Sequence, residues 1–204
     1  MLGKIYELVG QWQETEIRLA NDGSLFVINL NAAEAQQVYA LTKEGGAYDD
    51  ISASVACVGN HRCDIGVADS QKLLRECMEA VRKENFSAGT LPKMHISGCM
   101  SSCGSQQIAP LGWRGCKRST EDGPVDAYFL NYGGCERQGE EKLTVGSKVI
   151  LGRDVPAFLV ELGRTIEETG RRYEEWIVDN EEKICEIADR YVNKISAKTI
   201  VGSV

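Results

Sequence analysis

Proline is scarce in this sequence, 4 residues in 204, beside 21 glycines. Many glycines with few prolines point to tight loops inside a fold and not to a disordered linker. No stretch approaches the ~18 consecutive apolar residues of a membrane span. The start of the chain has no basic segment leading into an apolar one, so no secretory signal is read there and the cytoplasm is the expected location. Basic charge is also short: 23 Lys and Arg stand against 30 Asp and Glu, a net charge of −7. Nonspecific nucleic-acid binding draws on a cationic excess that is missing here. Neither nucleic acid nor membrane is therefore expected as a partner. There is no internal repeat, low-complexity tract or long run of like charge.

Hydrophobic residues make up 43% of the chain and charged residues 26%, the ordinary balance of a globular protein. The length suits one domain or two small ones. Ile5, Leu8, Val9 and Trp12 recur at helical spacing and predict a helix over 4–13. Strands are expected over 16–20 and 24–30, joined at Asn21-Asp22-Gly23, a strong turn signal. Asn31 can cap a helix over 32–43, ended by Gly45-Gly46. A strand over 52–56 delivers the chain to Cys57, and a helix over 67–84 shows the stripe Leu73, Leu74, Cys77, Met78 and Val81. Further strands are expected over 93–97 and 126–132. Helices follow over 155–169 and 181–195, with a helical turn around 173–178. This order is an α+β pattern.

The unusual feature is eight cysteines. In a small secreted domain they would form a disulfide framework, but no export signal accompanies them and the chain is too large to need such staples. Metal ligation or redox chemistry is the better reading for a cytoplasmic protein, with some thiols simply buried. Cys57 and Cys63 form C-x5-C, and Cys99 and Cys103 form C-x3-C, each directly after an expected strand. Gly59, Gly66, Gly98 and Gly104 flank them. Thiolates that share one iron-sulfur centre need loops that curl, and glycine tolerates the positive φ this requires. Structural zinc remains an alternative on spacing alone, although paired C-x2-C knuckles are absent.

The segments Ala56-Cys-Val-Gly-Asn-His-Arg-Cys63 and His95-Ile-Ser-Gly-Cys-Met-Ser-Ser-Cys-Gly104 resemble the siroheme and 4Fe-4S region of the nitrite and sulfite reductase family. Ile108-Ala-Pro-Leu-Gly-Trp-Arg-Gly115 and Tyr132-Gly-Gly134 resemble the stretches that follow it there, and Ile17-Arg-Leu-Ala-Asn-Asp-Gly23 resembles the end of the family's ferredoxin-like half-domain. The resemblance covers roughly residues 15–170. It implies a mixed sheet with flanking helices over 51–204, preceded over 1–50 by a truncated ferredoxin-like half-domain. It also implies that Cys57, Cys63, Cys99 and Cys103 bind one 4Fe-4S cluster and that Cys103 bridges to a siroheme iron, which makes Cys103 the catalytic ligand. The implied reaction is six-electron reduction of a small oxyanion, sulfite or nitrite, with electrons from a ferredoxin or flavoprotein.

Family members carry two such repeats with the siroheme between them, and this chain resembles the C-terminal one. A homo-oligomer or a partner subunit is therefore expected. Two alternatives stay open: a non-catalytic iron-sulfur electron-transfer subunit, or a C-terminal fragment that needs a partner chain. Siroheme and its substrates are anionic and call for Arg and Lys. Arg114, Arg137 and the polar turn residue Asn21 are the candidate cofactor contacts, with Arg18, Lys93, Lys117 and Arg118 behind them. Cys77 and Cys185 are expected in the core. Cys116 and Cys135 lie near glycine loops and raise the idea of a second redox pair. His61 and His95 lie inside the two cysteine motifs.

Overall fold

The computed structural model describes residues 1–20, 23–43, 45–47, 49–120 and 123–196, which fall into two units, Met1–Tyr48 and Asp49–Val204. The first unit holds α1 (Leu2–Val9), β1 (Glu16–Leu19), β2 (Leu25–Ile28) and α2 (Ala32–Thr42). Ile5 and Val9, one turn apart, are the buried side chains of α1. The helix ends at Val9 with Gly10 as its cap, four residues short of the expected end. β1 and β2 pair antiparallel with Ile17 opposite Val27. α2 begins as the sequence suggests. The Asn31 side chain accepts the Ala33 and Glu34 N–H groups, and the Glu34 carboxylate accepts the Asn31 N–H, a capping box.

The second unit is built on a five-stranded mixed sheet in the order β3 (Val55–Ala56), β4 (Met94–Ser97), β5 (Leu111–Thr120), β6 (Gly123–Tyr132) and β7 (Val145–Leu151). β3, β4 and β5 run parallel, while β5, β6 and β7 are antiparallel. α3 (Ser70–Arg82) connects β3 to β4, as a parallel pair requires. Its Leu73, Cys77 and Val81 recur every four residues and are buried. α4 (Val155–Glu167) buries Phe158, Leu159, Leu162 and Ile166. Trp113 of β5 is fully buried and meets Phe158 edge-on at 5.5 Å, and Phe158 meets Tyr191 at 6.0 Å. Each such apolar side chain removed from water contributes about 1.5–3 kcal/mol.

Several boundaries differ from expectation for identifiable reasons. The strand expected over 52–56 is a 3-10 turn, Ile51–Ala53, followed by the two residues of β3. α3 starts at Ser70, where the Asp69 side chain caps it by accepting the Lys72 N–H at 2.9 Å, while Val67 and Ala68 before it donate to Gly98 O at 3.1 and 2.9 Å. The helical turn at 173–178 and the helix at 181–195 are one element, α5 (Tyr173–Ser196), kinked at Asn180. β5 and β7 were not expected. The β5 sequence, LGWRGCKRST, mixes glycine and charge without an apolar alternation.

Candidate functional site

Both cysteine pairs lie where the parallel part of the sheet ends. β3 passes directly into Cys57, and β4 ends one residue before Gly98 and two before Cys99. The Cys57 N–H donates to Ile96 O at 3.0 Å, so the ladder continues into the loop. The two loops then meet at Gly98. Its N–H donates to Cys57 Sγ at 3.1 Å, and its carbonyl accepts from Val67 and Ala68. A Cβ at Gly98 would lie 2.7 Å from Ala68 O and 3.2 Å from Gly59 Cα. On the β5 side, a Cβ at Gly115 would come within 2.5 Å of Gly98 O. Only hydrogen fits at these two positions, so the first loop, the second loop and β5 approach backbone to backbone.

The sequence reading assigned the flanking glycines to positive φ. Gly59 does take φ +67. In the second loop the left-handed positions are Ser102 (φ 59) and Ser105 (φ 57) instead. Each costs roughly 1–2 kcal/mol for a residue bearing a Cβ. A buried network holds that geometry. Ser97 Oγ donates to Gln106 Oε1 at 2.5 Å and accepts the Gly104 N–H at 2.9 Å, and Gln106 Nε2 donates to Ser102 Oγ at 2.8 Å. Sequence reasoning missed Ser97 and Gln106, which are polar yet 0% and 2% exposed. Their pairing spans nine residues and leaves no local signal.

The four cysteines differ in setting. Cys57, Cys63 and Cys99 are half-buried and Cys103 is exposed. Cys57 Sγ also lies 3.3 Å from Ser70 Oγ. Cys103 Sγ donates to Ser101 O at 4.0 Å. Among the described residues no group of three or more His, Cys, Asp and Glu closes around a single metal ion. A cubane puts each thiolate on a different iron, so its ligands stand farther apart than those of one ion. Two loops brought into contact at Cys57 and Gly98, with the C-x3-C pair starting at the next residue, are a donor set that fits such a centre.

The remaining candidates are less uniform. Asn21 lies outside the described residues, and so does Asp22. Arg114 on β5 is half-buried with its guanidinium 4.8 Å from the Phe129 ring centroid, a cation–π contact. Arg137 is exposed and bound to two carboxylates, Glu140 at 2.9 Å and Glu174 at 3.2 Å. It helps to line a 320 Å³ cavity with Lys93, Cys135, Glu136, Tyr173 and Glu174. There Lys93 Nζ donates to Glu136 at 3.0 Å, and His95 Nε2 lies 3.3 Å from the same carboxylate. His95 Nδ1 donates to Gly104 O at 2.8 Å, so this histidine ties β4 to the second loop. His61 is exposed. Lys117 pairs with Asp126, Arg118 is exposed, and Arg18, in the first unit, pairs with Glu16. A larger cavity of 580 Å³, lined by α3 and β6, includes none of the four cysteines.

Cys116 and Cys135 do not form a pair. Cys116 sits opposite Ala127 in the middle of the β5–β6 ladder, while Cys135 lies beyond the Leu111–Tyr132 end and bridges to Lys142. Five residues of strand separate them along the ladder, roughly 17 Å. Burial pushes the Cys116 thiol up despite Arg118 and Arg114 nearby. Cys77 is buried in α3, and desolvation holds its thiol neutral. Cys185 Sγ lies 3.2 Å from the Tyr132 hydroxyl.

No protein-family model matches the chain. It is 30% identical over 129 residues to the chloroplastic ferredoxin–nitrite reductase of Betula pendula, covering 58% of this chain and 21% of that protein. The same enzyme of Spinacia oleracea is 33% identical over 82 residues, 39% of this chain and 14% of that protein. The hemoprotein beta-component of NADPH sulfite reductase from Salmonella paratyphi B is 22% identical over 111 residues, 51% of this chain and 20% of that protein. The chain thus spans about a fifth of the length of the curated relatives it matches. Among solved structures, Mycobacterium tuberculosis NirA superposes with a TM-score of 0.69 at 18% identity, over 90% of this chain and 36% of that one. The α+β fold with its mixed sheet is the NirA fold. By sequence the chain is similar to nitrite and sulfite reductases over part of their length, and by fold it is similar to NirA.

Proposed function

We propose that this chain is the iron-sulfur and siroheme-binding part of a reductase of nitrite or sulfite, with Cys57, Cys63, Cys99 and Cys103 holding one 4Fe-4S cluster. The observation that carries this reading is the junction at Gly98, where a cysteine of the first pair and the backbone leading to the second pair touch at 3.1 Å. When bound, the cluster and siroheme supply single-electron storage and delivery to a substrate oxyanion, chemistry that belongs to the cofactors.

The residues of this chain would hold and screen that centre. Cys103 is the exposed member of the set, which suits a thiolate shared with the siroheme iron. Ser97, Gln106 and Ser102 orient its loop from the buried side. Arg114, anchored on Phe129, is the candidate cation for a macrocycle carboxylate. Nitrite or sulfite is the substrate class, a ferredoxin or flavoprotein the electron donor, and a second copy or partner subunit completes the site. The cytoplasm is the proposed location. Among the described residues no helix is long and apolar enough to cross a membrane.

One observation favours a second reading, a non-catalytic electron-transfer subunit without siroheme. The Arg137 charge is already answered by Glu140 and Glu174, and Lys93 by Glu136, so the cations of that face are committed to carboxylates. An absorption spectrum of anaerobically purified protein separates the two. Siroheme adds strong Soret and long-wavelength bands, whereas a cluster alone gives a broad shoulder. With siroheme present, viologen-driven turnover of nitrite and of sulfite identifies the substrate. A spectrum with neither feature contradicts both readings.

A further inference from the structure

Ser70 Oγ stands between two acceptors on the same cysteine. It donates to Cys57 O at 2.8 Å and lies 3.3 Å from Cys57 Sγ. A hydroxyl has one proton. With that proton on the carbonyl, the contact to sulfur in the free thiol is made by the S–H. Cys57 O has a second donor, Gln71 Nε2 at 3.1 Å, which also donates to Ala56 O at 2.8 Å. Ser70 is fully buried and opens the first turn of α3, where the helix end favours negative charge.

We propose that Ser70 tunes the redox centre through Cys57. The inference rests on the proposed ligation by Cys57. On ligation the thiol proton is released to water. The Ser70 hydroxyl then turns from the carbonyl to the sulfur and joins the Gly98 N–H, while Gln71 keeps the carbonyl satisfied. Hydrogen bonds to ligand sulfur favour the more negative, reduced cluster and raise its reduction potential. Ser70 and Gln71 form one device: the amide frees the hydroxyl, and the hydroxyl serves the sulfur.

The test is an EPR-monitored redox titration of the cluster-loaded chain, with Ser70→Ala and Gln71→Met beside the parent protein. Ser70→Ala is expected to shift the midpoint to more negative potential. In deuterated buffer it also loses the coupling of one exchangeable hydrogen near the cluster, a signature that a merely structural serine would not carry. Gln71→Met is expected to shift the midpoint the same way by less, because the hydroxyl returns part of the time to the carbonyl. A Ser70→Ala protein with the parent's potential and coupling overturns the inference and leaves the cluster reading standing. Should Ser70→Ala hold no cluster, Gln71→Met decides: a midpoint more negative than the parent's upholds the inference and an unchanged midpoint overturns it. Absence of iron and acid-labile sulfide from the parent protein overturns the ligation reading, and this inference with it.

Discussion

The two cysteine segments are held by different means. Cys57 follows a strand, keeps a ladder hydrogen bond to Ile96 and has its sulfur met by Gly98 and Ser70. Cys103 is exposed, follows a left-handed serine and donates to the Ser101 carbonyl at 4.0 Å. The first segment is set by backbone packing, and the second is set from beneath by the side chains of Ser97 and Gln106. The difference suggests a division of labour. A fixed ligand suits the inner side of a cluster, and an open one suits the side where a second group must arrive.

The largest effect should come from breaking the packed side. Gly98→Ala puts a methyl group 2.7 Å from Ala68 O with backbone on the far side as well. It is expected to cost about 3 kcal/mol or more and to abolish cluster assembly. Met100→Ala, at an exposed position of the second loop, should stay within about 0.5 kcal/mol. Thermal unfolding and iron content measure both, and equal losses would erase the contrast between the segments.

The second test reads the sulfurs directly. In the metal-free chain Cys103 should be alkylated at least roughly tenfold faster than Cys57, followed by peptide mass spectrometry. Exposure and thiolate character set such rates, and Cys103 has the exposure. Equal rates would mean that the Gly98 junction does not protect Cys57 in solution.

Gln106→Leu sharpens the comparison from the other side. It strands the Ser97 hydroxyl and removes the donor to Ser102, a loss of about 1–3 kcal/mol. Its effect should concentrate on the second loop, seen as faster amide exchange over 99–105 with little change over 57–63. Uniformly faster exchange would show that the two segments move as one.

The smallest expected effect lies away from both segments. Glu167 accepts from Thr90 and Ser87, and these hydrogen bonds hold its carboxyl below the usual glutamate range. A depressed folded-state value contributes stability above the unfolded value that is lost as pH falls through the folded one. Glu167→Gln should therefore lower Tm by roughly 2–4 °C at neutral pH. The gap to the parent should shrink below about pH 4.5. A gap that stays constant into acid would assign the loss to shape instead of charge. Amide exchange of both cysteine loops should be unaffected.

The sequence carried the helices and the cysteine spacing well, because periodicity and turn residues are local properties. Leu73, Cys77 and Val81 mark α3 without help from the fold. β5 was hidden because Gly112 and Gly115 interrupt its alternation. Gly115 is there to let Gly98 pass, a requirement imposed by a segment seventeen residues earlier in the chain. The same holds for Ser97 and Gln106, whose burial depends on the closed loop. Arg137 stands in the sequence as a candidate cofactor contact, with nothing local to show which carboxylates reach it. Glu174, thirty-seven residues away, takes part of that charge.

The central claim is that the four cysteines of the two segments hold one iron-sulfur centre. Iron and acid-labile sulfide analysis of anaerobically purified protein tests it most directly, with Cys57→Ser and Cys99→Ser as controls. The account predicts roughly four irons and four sulfides per chain in the parent and a loss of both in each variant. A parent protein without sulfide, or variants that keep the full complement, would contradict it.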